Sequence, residues 1–414
     1  MKKKVLSVIL SLTAAASAVL SGHSTQSAVF AAETAVQGDY TITYTVSGGE
    51  AKVLGVTGTG ASLLIPEQLG GNPVTSIGAD AASGCTSLQS LIIPDCVKEI
   101  GANAFQKCIS LSAVSIGCGV SKIDGNVFSA CPELYGFSVS SVSEYYKAIN
   151  GMLYTKDGSE LICFAGGNEA VIPEGTASVG DYAFFCKTSL TSAKLPESLE
   201  EIGDYAFSGC TSLESIAVPD SVAAVGKGSF MNCTSLSSAD LGESVAEIPE
   251  ECFSMCSSLS RFDIGAAVTS IGDRAFYSCL GIMNMYIPET VLSIGEDASG
   301  MRPDRTNPGQ NIPLQDFFLI GSTGSAAESY ALSAGITFMN EEDILVGDVN
   351  NDGKVTPTDA SAVLKEYAAA ATDNPTVFDA YMKKAGDSNG DDRLTPVDAS
   401  KILAVYANNA TTIQ

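Results

Sequence analysis

Ile202-Gly-Asp-Tyr-Ala-Phe-Ser-Gly-Cys-Thr-Ser-Leu-Glu-Ser-Ile-Ala-Val-Pro-Asp-Ser-Val222 belongs to a strict 23-residue period. Ile77, Ile100 and Ile123 head three copies, and after an interruption Val179, Ile202, Val225, Ile248, Ile271 and Ile294 head further ones. Counted from the head, Phe recurs at offset +5 (Phe105, Phe128, Phe184, Phe207, Phe230, Phe253, Phe276). Cys recurs at +8, Leu at +11 in most copies, and apolar residues return at +14, +16 and +20. A unit this short cannot bury its own apolar face, whereas stacked units share a continuous core, so the spacing predicts a repeat solenoid. Ile216 and Val218 alternate with Ser215 and Ala217, which predicts one short β-strand per 23-residue coil. Strands of neighbouring coils would pair at ~4.8 Å.

The block Ile-Gly-x-x-Ala-Phe-x-x-Cys, recurring over about residues 40–340, resembles the BspA-like leucine-rich repeats of secreted bacterial and protist proteins. The resemblance implies a leucine-rich repeat solenoid that binds other molecules and is not known for catalysis. The expected layout is an N-terminal cap over 32–76, repeats over 77–314 and a C-terminal cap over 315–340, with an Ala-rich helix near 325–335. The 56 residues from Ile123 to Val179 exceed one period, which places an irregular insertion at about 140–169. Within it, Gly151 to Ala165 reads as a hairpin turning at Asp157-Gly158.

The cysteine spacing argues against a disulfide framework. Cys85, Cys108, Cys131, Cys210, Cys233, Cys256 and Cys279 all occupy offset +8. Neighbours in such a ladder carry parallel side chains about one strand spacing apart, too far for a disulfide, so they read as small buried hydrophobes. Cys96 and Cys118 are the one pair left that adjacent coils could bring together. The outward strand positions +12, +13 and +15 are mostly small, as in Ser112, Ala113 and Ser115. Larger groups gather only at Arg261, Asp263, Met283 and Tyr286, the best candidate for a ligand patch against the plainer reading of ordinary surface variation.

Behind a short connection at 341–346 stand two related 12-residue stretches, Asp348-Val-Asn-Asn-Asp-Gly-Lys-Val-Thr-Pro-Thr-Asp359 and Asp387-Ser-Asn-Gly-Asp-Asp-Arg-Leu-Thr-Pro-Val-Asp398. Oxygen side chains fall at positions 1, 3, 5, 9 and 12, the spacing with which a loop wraps one calcium ion. The first set is Asp348, Asn350, Asp352, the carbonyl of Lys354, Thr356 and Asp359. The second is Asp387, Asn389, Asp391, the carbonyl of Arg393, Thr395 and Asp398. Thr356 is also placed as a helix N-cap, with Pro357 at N1 and Asp359 at N3. A helix is expected after each loop and a third at about 376–385. Position 6 is Gly353 in one loop and Asp392 in the other, and the loss of the glycine predicts weaker calcium binding by the second loop.

A loop with an exit helix, duplicated, with Asp at position 12 and no evident entry helix, resembles a dockerin, here over 347–414. The wording Thr-Pro-Val-Asp-Ala-Ser-Lys-Ile-Leu-Ala-Val-Tyr-Ala resembles dockerins of ruminococcal cellulosomes. The resemblance implies docking onto the cohesin module of a scaffoldin, with two structural Ca2+ ions. It implies cohesin contacts at Pro357, Thr358, Leu364 and Lys365 in one half and at Pro396, Val397, Leu403 and Ala404 in the other. The halves differ, Thr358 against Val397 and Lys365 against Ala404, so one docking orientation is expected to be preferred over its 180° counterpart.

Composition narrows the function. Residues 1–31 read as a secretory signal peptide, with Lys2 to Lys4 as its basic region and Val5 to Leu20 as its apolar one. The expected location is extracellular, at or near the cell surface, without membrane insertion. The net charge of −25 makes nucleic acid a poor partner. The single histidine, His23, lies in the signal segment, and the chain has no tryptophan. That removes imidazole-based nucleophiles and His-ligated metals from the rest of the chain. A paired-carboxylate hydrolase survives this filter, yet the repeat accounts for nearly all of 40–340. The expectation is a non-enzymatic cellulosome component whose repeats bind an unknown protein or glycan; the alternative is a carbohydrate-active hydrolase with an unrecognised carboxylate pair.

Overall fold

The computed structural model describes residues 32–372 and 377–412. The expected signal segment, with His23, lies outside the described residues. The chain forms two compact units that divide between Thr211 and Ser212.

The first unit opens with an antiparallel meander of Glu33–Gln37, Tyr40–Ser47 and Glu50–Gly58. Its last strand pairs in parallel with Asn72–Ile77, which starts a ladder through Glu99–Ile100 and Lys122–Ile123. A second parallel ladder joins Ser62–Leu64, Ser90–Ile93, Ala113–Ile116 and Gly136–Val139. This second ladder is the strand expected from the Leu-x-x-apolar-x-apolar pattern. Each coil therefore adds a further two-residue pairing at its head, too short for a periodicity argument to detect. In the second unit Ser215–Ala217 pairs with Ser238–Asp240, and Glu247–Ile248 with Ser270–Ile271 and Ser293–Ile294. Asn284–Tyr286, Phe318–Gly321 and Thr337–Asn340 form a further parallel sheet. Helix α1 (Ala326–Ala334) precedes its last strand, capped by Ser325 and ended by the left-handed Gly335.

The repeat's conserved offsets become stacks in the core. Phe184 and Phe207 lie 4.4 Å apart between ring centres in the first unit, and Phe253 and Phe276 lie 5.5 Å apart in the second, both stacked. The +8 cysteines are free and buried. Thiols of this ladder donate to main-chain carbonyls of the coil before, Cys108 to Ala82 (3.3 Å), Cys210 to Phe184 (3.2 Å) and Cys279 to Phe253 (3.1 Å). They are thus more than hydrophobic filler: they add a second hydrogen bond to carbonyls that already accept an amide, Phe184 from Lys187 (3.0 Å) and Phe253 from Cys256 (3.1 Å). Cys96 and Cys118 are also free.

In every coil but the last, headed by Ile294, the residues at +3 and +7 adopt left-handed backbone, mostly without glycine: Tyr182 and Cys186, Glu251 and Met255, Arg274 and Ser278. The left-handed turn aims their amides along the stack. Tyr182 donates to the carbonyl of Asp204 (2.9 Å), Cys186 to Ser208 (2.8 Å) and Met255 to Tyr277 (2.7 Å). A residue with a Cβ loses about 1–2 kcal/mol in this conformation, which inter-coil hydrogen bonds offset.

The insertion holds two hairpins where the sequence reading had one. Met152–Thr155 pairs with Glu160–Cys163 around Asp157-Gly158, as expected. Tyr146–Ile149 also pairs with Met152–Thr155 around Asn150-Gly151, both at positive φ (50° and 82°). Asn-Gly is the strongest two-residue hairpin signal, and it stood in the sequence unread. Strand Glu160–Cys163 then feeds the resumed ladder by pairing Leu161 with Val179. At the broken end, the amide of Ile123 finds the hydroxyl of Tyr146 (3.0 Å). Lys187 occupies the +8 slot of the next coil and is 3% exposed. Its ammonium reaches back across the insertion to the carbonyls of Cys131 (2.9 Å) and Leu134 (3.5 Å). Burial lowers its pKa, opposed by the surrounding thiols of Cys163, Cys131 and Cys210.

Two outcomes are expected. Lys107, exposed and at φ 59°, loses its left-handed penalty in Lys107→Gly; after the entropy that glycine adds to the unfolded chain, chemical denaturation should show a gain of roughly 0.5–1 kcal/mol. The buried thiols should resist alkylation, because burial pushes Cys163 up to about 11 and Cys252 up to about 12, and only the thiolate is nucleophilic. Mass spectrometry after alkylation at mildly alkaline pH should find label on the half-buried Cys96, Cys118 and Cys186, and on all 12 cysteines only after denaturation.

Candidate functional site

The two acidic loops lie in the second unit, each followed by a helix: α2 (Pro357–Ala370) and α4 (Pro396–Thr412). The middle helix α3 (Ala380–Gly386) is shorter than the expected 376–385 and starts later, at the N-cap Asp379. Thr356 caps α2 in a capping box with Asp359, and Pro357 takes the first helical turn. Thr395 and Asp398 repeat the arrangement: Val397 donates to the Thr395 hydroxyl (3.2 Å) and Thr395 to the Asp398 carboxylate (2.9 Å).

Each loop is closed by its own carboxylates. The two Asp348 oxygens accept from the amides of Asp352 (3.0 Å) and Gly353 (2.7 Å), while Asn350 accepts from Asp352 and Asp352 from Lys354. Asp359 accepts from Val349, Asn350 and Thr356. In the second loop Asp387 accepts from Gly390, Asp391 and Asp392, Asn389 from Asp391, Asp391 from Arg393, and Asp398 from Asn389 and Thr395. Asp348, Asp359 and Asp398 are buried, and Asp387 is half-buried.

Among the described residues no three His, Cys, Asp or Glu side chains stand together as a metal-holding cluster. The donor chemistry still fits a hard cation. Positions 1, 3, 5, 9 and 12 offer only oxygen, with three carboxylates per loop, and each Asp348 oxygen keeps a second lone pair.

The loops differ less than position 6 alone implied. Position 4 is left-handed as well as position 6: Asn351 (φ 55°) with Gly353 (φ 80°) in the first, Gly390 (φ 74°) with Asp392 (φ 58°) in the second. Each loop thus has one glycine and one Asn or Asp, in exchanged positions. The glycine argument for a weaker second loop therefore does not stand on backbone strain.

Pro357, Thr358, Leu364, Lys365, Pro396, Val397, Leu403 and Ala404 are all exposed. The buried faces lie elsewhere: Ala360 and Val363 of α2 pack with Ala399 and Ile402 of α4 and with Val349 and Phe378.

The large groups near the end of the repeats are occupied from within the chain. No strand is assigned at 261–263, and there the C-terminal helices reach the coils. Lys383 pairs with Asp263, and Arg261 approaches Glu366 at 3.9 Å. The Lys384 ammonium sits 4.0 Å from the centre of the Tyr286 ring and 3.3 Å from Glu341. Glu366, 4% exposed, also accepts from the amides of Val377 and Phe378. At the centre lies Tyr381, in a cluster with Ile320, Ile344 and Ala385. Its hydroxyl is pushed up to about 12, by burial first and then by Asp348, Asp359 and Asp379. Of the four patch residues, Met283 and Asp263 remain exposed, while Arg261 and Tyr286 are half-buried.

A cavity of about 250 Å³ in the first unit carries four carboxylates, Asp124, Glu160, Asp181 and Glu201. Burial, then Asp181 and Glu201, raises the Glu160 pKa.

The chain belongs to the BspA type leucine rich repeat family: the family's repeat region matches residues 67–150 and 177–299, half of the chain. A dockerin type I domain matches residues 346–403. Neither family is catalytic; a dockerin implies docking on a cohesin, dockerin type I domains bind calcium, and leucine-rich repeats suggest protein interaction. Similar solved structures include a leucine-rich repeat protein from Eubacterium ventriosum, 19% identical, with a TM-score of 0.44 and coverage of 65% of this chain and 94% of that one. A leucine rich cell surface protein from Faecalibacterium prausnitzii is 22% identical, with a TM-score of 0.36 and coverage of 73% and 97%. No curated protein matches the chain. Among the described residues no helix is long and apolar enough to cross a membrane.

The exchanged glycines carry a prediction. Asn351→Gly and Asp392→Gly should each stabilise the C-terminal helices by about 1 kcal/mol or less, with similar gains in the two loops. Thermal unfolding of the two variants would measure this, and a gain confined to Asp392→Gly would restore the argument for a strained second loop.

Proposed function

We propose that this chain is a secreted, non-catalytic cellulosome component serving polysaccharide breakdown. Its dockerin docks on a scaffoldin cohesin, and its repeats bind a protein or glycan. The observation that carries this reading is the duplicated loop and exit helix inside the dockerin match. Two calcium ions would be held by Asp348, Asn350, Asp352, Lys354, Thr356 and Asp359, and by Asp387, Asn389, Asp391, Arg393, Thr395 and Asp398. Their charge would neutralise six carboxylates that otherwise repel one another, so calcium acts structurally. The exposed residues of α2 and α4, Pro357, Thr358, Leu364 and Lys365 with Pro396, Val397, Leu403 and Ala404, would meet the cohesin. The small outward residues of the upstream strands leave the ligand of the repeats open. Family membership weighs against a catalytic step at the Glu160 cavity, and no such step is assigned to it.

The test is binding of the full chain to immobilised scaffoldin cohesins. Retention is expected with calcium and loss with a chelator, and retention under chelation would refute the calcium reading. The double variant Val397→Thr, Ala404→Lys should alter cohesin affinity if the halves differ in use; unchanged affinity would remove the preferred orientation.

A further inference from the structure

Tyr381 joins three elements that the sequence keeps far apart. Its amide donates to the Asn284 side chain (3.1 Å) on strand Asn284–Tyr286 of the repeats. Its hydroxyl donates to the carbonyl of Asp348 (3.2 Å), position 1 of the first loop. Its ring packs edge-on against Phe318, 6.5 Å between centres. The same loop is tied to α3 again where Gly347 donates to the carbonyl of Ala385 (2.7 Å). Asn284 is 5% exposed and Tyr381 5%, so both bonds are shielded from water.

Seating α3 on the coils thus fixes the backbone at the start of the first loop. Asp348 and Asp359 of that loop are 1% and 0% exposed. Two buried carboxylates without a cationic partner are costly, and a bound cation would offset that cost. The first carboxylate of the second loop, Asp387, stays half-buried, and no hydrogen bond links that loop to Asn284 or Phe318 among those described.

We infer that calcium occupancy of the first loop and seating of α3 on the last coils form one coupled equilibrium, each strengthening the other. The inference rests on the calcium reading proposed above. By linkage, a change on the repeats that weakens the seat must weaken calcium binding, and calcium removal must loosen the seat by the same factor.

The experiment uses the full chain, calcium chloride as ligand and two readouts. Asn284→Ala and Asp263→Ala both lie outside the dockerin; the second is a surface change that spares folding. Calorimetric titration should show one of the two calcium sites weakened, by about five-fold or more for Asn284→Ala, with the other unchanged. Tyr381→Phe, which keeps the ring, should weaken the same site. Hydrogen exchange at Asn284–Tyr286 and in α3 should quicken on chelation of the wild-type chain. Unchanged affinities together with exchange that ignores chelation overturn the coupling, as does equal weakening of both sites. A wild-type chain that takes up no calcium overturns the calcium reading itself, and the coupling with it.

Discussion

The main-chain hydrogen bond from one coil to the next, repeated every 23 residues, is the constraint on which the repeats depend. Tyr182 to Asp204 and Met255 to Tyr277 are two instances. Such bonds require amides that point along the stack, and the left-handed turns at +3 and +7 aim two of them there. The stack therefore tolerates Tyr, Cys, Glu, Met and Arg in a conformation that favours glycine. The aromatic stack at +5 and the thiol ladder at +8 follow from the same geometry, since they fill the interior behind those turns. Where the insertion interrupts the period, side chains replace the missing backbone. Tyr146 receives the amide of Ile123, and Lys187 adds a donor to the carbonyls of Cys131 and Leu134.

Most of this was legible because a repeat states each packing rule many times over. Phe at +5, Cys at +8 and the alternation at Ile216 and Val218 each identify one buried slot. What escaped was whatever occurs once. Asn150-Gly151 was overshadowed by the Asp157-Gly158 signal nearby. Lys187 reads as an ordinary surface lysine unless its offset is counted. Arg261, Asp263 and Tyr286 were recognisable as unusual, but their partners Lys383, Lys384 and Glu366 are more than 80 residues away, beyond any local pattern. The strain of the loops was not legible, because the left-handed demand at position 4 shows only in the backbone.

The C-terminal loops place two demands on the same side chains. Asp359 closes its loop by accepting three loop amides, and it also completes the capping box of α2. Asp398 accepts two loop amides, of Asn389 and Thr395, in the first turn of α4. A carboxylate at position 12 is short enough to serve the helix end at N3 while remaining inside the loop. Loop closure and helix initiation are thereby bound to one residue in each half.

The seat of Tyr381 between Asn284, Phe318 and Asp348 has a mechanical consequence. A plug on a loose tether tumbles freely, and its cargo explores a wide cone of directions. Here α3 is clamped to the last coils while the outer residues of α2 and α4 stay open, so whatever grips those two helices also sets the bearing of the coils beneath them. Torque applied at the plug reaches the repeats through packed side chains and paired charges, without the slack that six linker residues could otherwise absorb.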